Sequence, residues 1–138
     1  MTWLKNLALG AAAFLAMHAV EVHRWREWFD ASASHVPWFL NNGRAATLTM
    51  AGVAVAAAVD AAVWARSARN AGRQSLDVAG GAALAMTITL FVIGPGSIFP
   101  IVLVAGAGLM TASAVLGGWL GFAATCGWRP RLDRPEPP

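Results

Sequence analysis

The sequence predicts an all-α fold: a polytopic membrane protein of four transmembrane helices, with both termini in the cytoplasm. Three observations carry that prediction. Of 138 residues, 57% are hydrophobic and only 12% are charged, whereas a soluble domain is about one-quarter charged. Positions 78–128 contain no Asp, Glu, Lys, Arg or His. A water-soluble fold with that charge distribution would expose one large apolar patch. The basic residues, finally, fall unevenly between the two sides that the crossings define. The same composition excludes a disordered chain, and Cys126 as the only cysteine excludes a disulfide scaffold.

The first helix is expected over about 4–28. Residues 7–20 are apolar apart from His18, and the run continues through Glu21-Val22-His23-Arg24-Trp25 as an amphipathic, partly interfacial extension. Lys5 ahead of an apolar run resembles the start of a signal peptide, but no small-x-small cleavage site follows, so this is read as a retained helix. Asp30-Ala31-Ser32-Ala33-Ser34-His35-Val36-Pro37 and Asn41-Asn42-Gly43 are loop signals. The second helix covers about 44–66, apolar through 45–65 except for Asp60.

The uncharged stretch spans 51 residues, and a bilayer core about 30 Å thick takes about 20 helical residues to cross. It therefore holds two crossings, divided by Gly94-Pro95-Gly96-Ser97-Ile98-Phe99-Pro100, where two prolines and two glycines cannot continue a helix. The third helix is expected over about 76–93, with Ser75 as its N-cap and Asp77 in its first turn. The fourth covers about 101–124. These four helices form one domain over 1–128, and 129–138 is a short, charged, Pro-rich cytoplasmic tail that has nothing to bury and is expected to be mobile.

Counting Lys and Arg by side orients the chain. Lys5, Arg66, Arg69, Arg73, Arg129, Arg131 and Arg134 share the side of the termini; Arg24, Arg26 and Arg44 lie on the other. Trp3, Trp64 and Trp128 fall at inner helix ends and Trp25, Trp28 and Trp38 at the outer boundary, as interfacial anchors do. The sequence pI near 10.5 then reflects topology and attraction to anionic lipid. No RNA- or DNA-binding motif accompanies the charge, and no nucleic-acid partner is expected. Nine Arg against one Lys, with abundant Ala and Gly, suggests a GC-rich bacterial genome and hence the inner (plasma) membrane.

Three ionisable residues fall within apolar helix, where each costs about 2.5–3.5 kcal/mol on insertion scales and is a functional candidate by default. His18 and Glu21, three apart, share an apolar, aromatic helix face with Phe14, Val22 and Trp25. Either Glu21 pairs with Arg24 or another outer-side group with His18 hydrogen-bonded beside it, or the two form a buried pair able to take a proton, a cation or a polar ligand. Asp60 has only Ala and Val around it in sequence. It either stands isolated in the bundle or reaches Lys5, a middle-loop arginine or water at the inner boundary. Glu21 near the outer side and Asp60 near the inner side could form two ends of a proton path.

Several lookalikes fail on geometry. His18-x-x-Glu21-x-His23 places its histidines about 140° apart rather than at the i, i+4 spacing of zinc helices, so no metal site is expected. Ile101-Val102-Leu103-Val104 before Gly106-Ala107-Gly108 resembles a dinucleotide-binding turn, but Thr111 stands at the third small position and the later acidic residue is missing. Only His18 lies where a membrane haem would want both of its histidines. No cofactor and no catalytic residues are assigned. Thr87, Thr89, Thr111 and Ser113 can satisfy themselves on the carbonyl one turn back.

Gly106, Ser113, Gly117, Gly121 and Ala124 instead form a small-residue stripe on the fourth helix, a packing seam of the kind that lets helix backbones approach in lipid. Gly80-Gly81 and the Ala-rich second helix offer matching surfaces, and a partner helix in a homo- or hetero-oligomer is the alternative occupant. Expected overall is a small non-catalytic accessory or scaffolding subunit of a larger membrane complex. The alternative is a small transporter, channel or proton- and cation-handling protein using His18, Glu21 and Asp60.

Overall fold

The computed structural model describes residues 2–25, 43–93 and 99–126, with the side chains of 21–25, 43–46, 93, 99 and 102 outside the description. Within them the chain is all helical, as four helices each long and apolar enough to cross a membrane. They are α1 (Thr2–Trp25), α2 (Gly43–Trp64), α3 (Ala68–Ile93) and α4 (Phe99–Cys126). The tail 129–138, Trp28, Trp38, Trp128 and most of the two expected breaks lie outside the described residues.

Two boundaries differ from expectation. α3 begins at Ala68, two turns before the expected start, because the N-cap is Ser67 and not Ser75. The Asn70 backbone N–H donates to Ser67 Oγ at 3.2 Å, the bond a capping hydroxyl makes to the third helical residue. Ser75 lies inside the helix, where its hydroxyl donates to the Ala71 carbonyl at 2.7 Å. The α2–α3 connection is thus only Ala65-Arg66-Ser67, and Ala65 N–H still bonds Ala61 C=O at 3.0 Å. α4 begins at Phe99, with Pro100 in its first turn, where a missing N–H costs nothing.

Helix pairing sets the direction of each element. Lys5 meets Asp60 and Met17 covers Gly52, so α1 and α2 are antiparallel. Ala54 faces Gly117 and Ala58 faces Gly121, so α2 and α4 run parallel. Near the end of α2, Ala61 and Ala65 cluster with Ala71 of α3 and Phe122 of α4. The start of α1, the start of α3 and the ends of α2 and α4 therefore gather at one end of the bundle. The most extensive packing joins α2 to α4, α1 to α3 and α3 to α4, while α1 and α4 scarcely meet. The closest pairings thus include helices two apart in the chain.

The interior is built largely from small residues. Ala57, Ala79, Ala82, Ala85 and Ala114 are buried around Phe14, Val53, Val78, Met86, Leu90 and Met110. The large aliphatic side chains point outward on every helix, including Leu15, Val55, Val59, Leu84, Ile88, Val104 and Leu116. Thr87, Thr89 and Thr111 each donate to the carbonyl four residues back at 2.8 Å, so these hydroxyls ask nothing of the surroundings.

Two seams bring backbones into contact. A Cβ at Gly117 or Gly121 would strike the backbone carbonyl of Ala54 or Ala58, a GxxxG step laid on an AxxxA step. A Cβ at Gly10 would strike Val78 C=O, and one at Gly81 would strike Leu7 C=O, so α1 and α3 each offer a glycine to the other's backbone. Of the remaining expected seam residues, Gly106 is buried, Ser113 half-buried and Ala124 exposed.

Candidate functional site

Burial of a carboxylate has to be offset by donors, because its hydration is lost. Asp60 is such a group: on α2, one turn before Trp64, its side chain is 3% exposed. Lys5, on the first turns of α1, donates from Nζ to Asp60 Oδ1 at 2.7 Å while its own side chain stays 46% exposed. Oriented with its nitrogen inward, the buried Asn6 amide donates to Asp60 Oδ2 and to the Thr2 carbonyl, both at 3.3 Å. Lys5 Nζ also stands 4.8 Å from the centroid of the exposed Trp64 ring, a cation–π contact one helical turn beyond the carboxylate.

The antiparallel pairing of α1 and α2 creates this constellation. It lays the first turns of α1 beside the last turns of α2, so residues 55 positions apart in sequence share one ion pair. Both carboxylate oxygens are engaged. The cluster is therefore suited to clamping two helix ends, with the lysine ammonium as its one side open to solvent or headgroups. Of the alternatives open for Asp60 from sequence, the structure takes the one that reaches Lys5.

His18 is not part of this site. Its ring stacks on Phe14, centroids 6.0 Å apart and planes 7° from parallel. It lies at the level where Met17 covers Gly52, eight residues along α2 from Asp60, or about 12 Å at 1.5 Å per residue. The Glu21 and Trp25 side chains lie outside the described residues, and so does any His18–Glu21 pairing. Among the described residues no three His, Cys, Asp or Glu side chains come together to hold a metal ion. Cys126 is exposed at the end of α4.

Trp3 and Trp64, both expected as inner anchors, are exposed at the Lys5–Asp60 end. Trp119 joins them, exposed and close against Gly72 of α3; inside an uncharged run it carried no sign of lying near a helix end. Asn6 was missed as well. Its signal is its place beside Lys5, as a second polar side chain in the first turns of an otherwise apolar helix.

The fold and this ion-paired helix junction define a class, a small helical bundle with large apolar side chains exposed on every helix and, among the described residues, one polar clamp at its end. No protein-family model, curated protein or solved structure matches the chain.

Proposed function

We propose that the chain is an integral membrane protein crossing the bilayer four times, both termini cytoplasmic, and that it serves as a non-catalytic accessory or scaffolding subunit of a larger complex in the bacterial inner membrane. The observation that carries the reading is the inverted distribution of side chains. Large apolar residues are exposed on all four helices, while Asn6, Thr49, Asp60 and Ser75 are buried. Lipid is the solvent that rewards that arrangement, and in lipid small residues at helix contacts supply the packing that holds a bundle.

The scaffolding part rests on what the polar groups do. Asp60 is committed to Lys5 and Asn6 as a clamp between helix ends, and His18 stands apart from it, about 12 Å along the helix axis. Purification in mild detergent followed by mass spectrometry tests the reading. A discrete, reproducible assembly with other membrane subunits is expected, and a lone monomer would overturn it. The buried carboxylate of Asp60 favours one competing reading, proton or cation handling by a small transporter or channel. Asp60→Asn in reconstituted vesicles discriminates: unchanged proton flux removes that reading, and abolished flux in a folded variant replaces the scaffold with it.

A further inference from the structure

Three arginines cluster at the end of the bundle where α2 turns into α3. Arg66 lies in the three-residue connection, and Arg69 and Arg73 lie on one face of the first two turns of α3. All three are exposed, and among the described residues none makes an ion pair, although Asp77 lies one turn beyond Arg73. Their position opposes the helix macrodipole, whose positive end favours acidic side chains; the first turn of α3 contains none. Guanidinium groups gathered there lower the stability of the isolated helix, and since no carboxylate among the described residues pairs with them, an anion from outside the bundle would offset that cost.

The surroundings say where that anion lies. Trp64 and Val63, at the end of α2, are 61% and 60% exposed immediately before the arginines. Tryptophan at the end of an apolar helix marks the headgroup level of a bilayer, and the arginines begin two residues beyond it. The half-exposed Lys5 ammonium, held over Trp64, adds a cation at the same level.

We propose that this end of the bundle binds the headgroups of anionic phospholipid, with Arg66, Arg69 and Arg73 receiving the phosphodiester and Trp64 setting the depth. Guanidinium suits this role because its planar fork matches phosphate oxygens. The proposal rests on the membrane reading above and adds to it a defined site for lipid charge, as opposed to an attraction spread over all basic residues.

The full-length protein in mild detergent is titrated with phosphatidylglycerol or phosphatidylcholine, and retained lipid is read by native mass spectrometry. Phosphatidylglycerol binding is expected to fall about fivefold for each of Arg66→Gln, Arg69→Gln and Arg73→Gln, and about a hundredfold for all three together. Phosphatidylcholine retention is expected to be unchanged. The tail variant Arg129→Gln/Arg131→Gln/Arg134→Gln is expected to bind phosphatidylglycerol as the parent does. An equal loss in the tail variant, or no loss in the folded α3 variant, overturns the site. Competition by inorganic phosphate alone at equal concentration would reassign it to a free anion. Carbonate extraction of native membranes separates the two levels of inference: release of the chain sinks the membrane reading itself, whereas retention with unaltered lipid binding sinks only this proposal.

Discussion

At Asp60 the two halves of one ion pair differ in what their loss leaves behind. Lys5→Met strands a carboxylate that is 3% exposed, whereas Asp60→Asn frees an ammonium that is already 46% exposed and can turn outward. Removing one partner of a fully buried pair costs about 3–5 kcal/mol; with the lysine half in contact with solvent, about 1–3 kcal/mol is expected for Lys5→Met. Asp60→Asn should cost less, and Lys5→Met/Asp60→Leu should recover most of the loss. Thermal unfolding in detergent, followed by helical circular dichroism, gives the ranking, and an Asp60→Asn variant less stable than Lys5→Met would contradict the clamp. The sequence showed that Asp60 has no neighbour able to pair with it on its own helix. It named Lys5 only as one of several partners, because the pairing depends on how α1 and α2 slide past one another. Asn6 stood out beside Lys5 as a polar side chain in an apolar helix, but its contact with Asp60 was hidden for the same reason.

At the scale of the helix, what reads well in sequence is length and apolarity, and what reads poorly is where a helix starts. Four long apolar helices were legible, two of them because an uncharged run of 51 residues with a Gly-Pro break has room for two helices of bilayer length. The start of α3 was placed at Ser75 because the apolar run begins there, but the helix extends two turns further into polar sequence, to the cap that Ser67 provides. Ser67→Ala should therefore cost about 1 kcal/mol, while Ser75→Ala, which removes only a local bond to the Ala71 carbonyl, should cost less; the reverse order in thermal unfolding would return the cap to Ser75.

The glycines divide in the same way. The stripe on α4 was legible as a seam and the Ala-rich second helix as one of its two matching surfaces; the choice of α2 over Gly80-Gly81 was not, since a smooth face does not say which smooth face it meets. Gly117→Ala would drive a methyl group into the Ala54 carbonyl and should cost about 1–3 kcal/mol as α2 and α4 move apart. Gly108→Ala meets nothing within 4 Å and should be neutral or stabilising by up to about 1 kcal/mol through helix propensity. Equal effects at the two positions, measured in the same detergent, would mean that the α2–α4 seam is not where the backbones touch.

For the whole molecule, the packing directions and the charge count make separate statements about topology. The parallel α2–α4 seam and the antiparallel Lys5–Asp60 contact put the first turn of α1 and the last turn of α4 at the same end. That relation is internal to the bundle and independent of any membrane. Which side this end faces belongs to the proposed topology: the sequence count of basic residues, Lys5, Arg66, Arg69, Arg73, Arg129, Arg131 and Arg134 against Arg24, Arg26 and Arg44, would turn both termini toward the cytoplasm in a four-crossing chain. Cys126, exposed at the end of α4 and the only cysteine, serves as a native reporter for one terminus. Trp3→Cys in a Cys126→Ser chain reports the other. A membrane-impermeant maleimide should label both sites in inverted membrane vesicles and neither in intact cells. Labelling of both from outside the cell would preserve the bundle and reverse its orientation. Labelling of the two sites from opposite sides would require an odd number of crossings, which the pairing of Ala54 with Gly117 and of Lys5 with Asp60 does not permit.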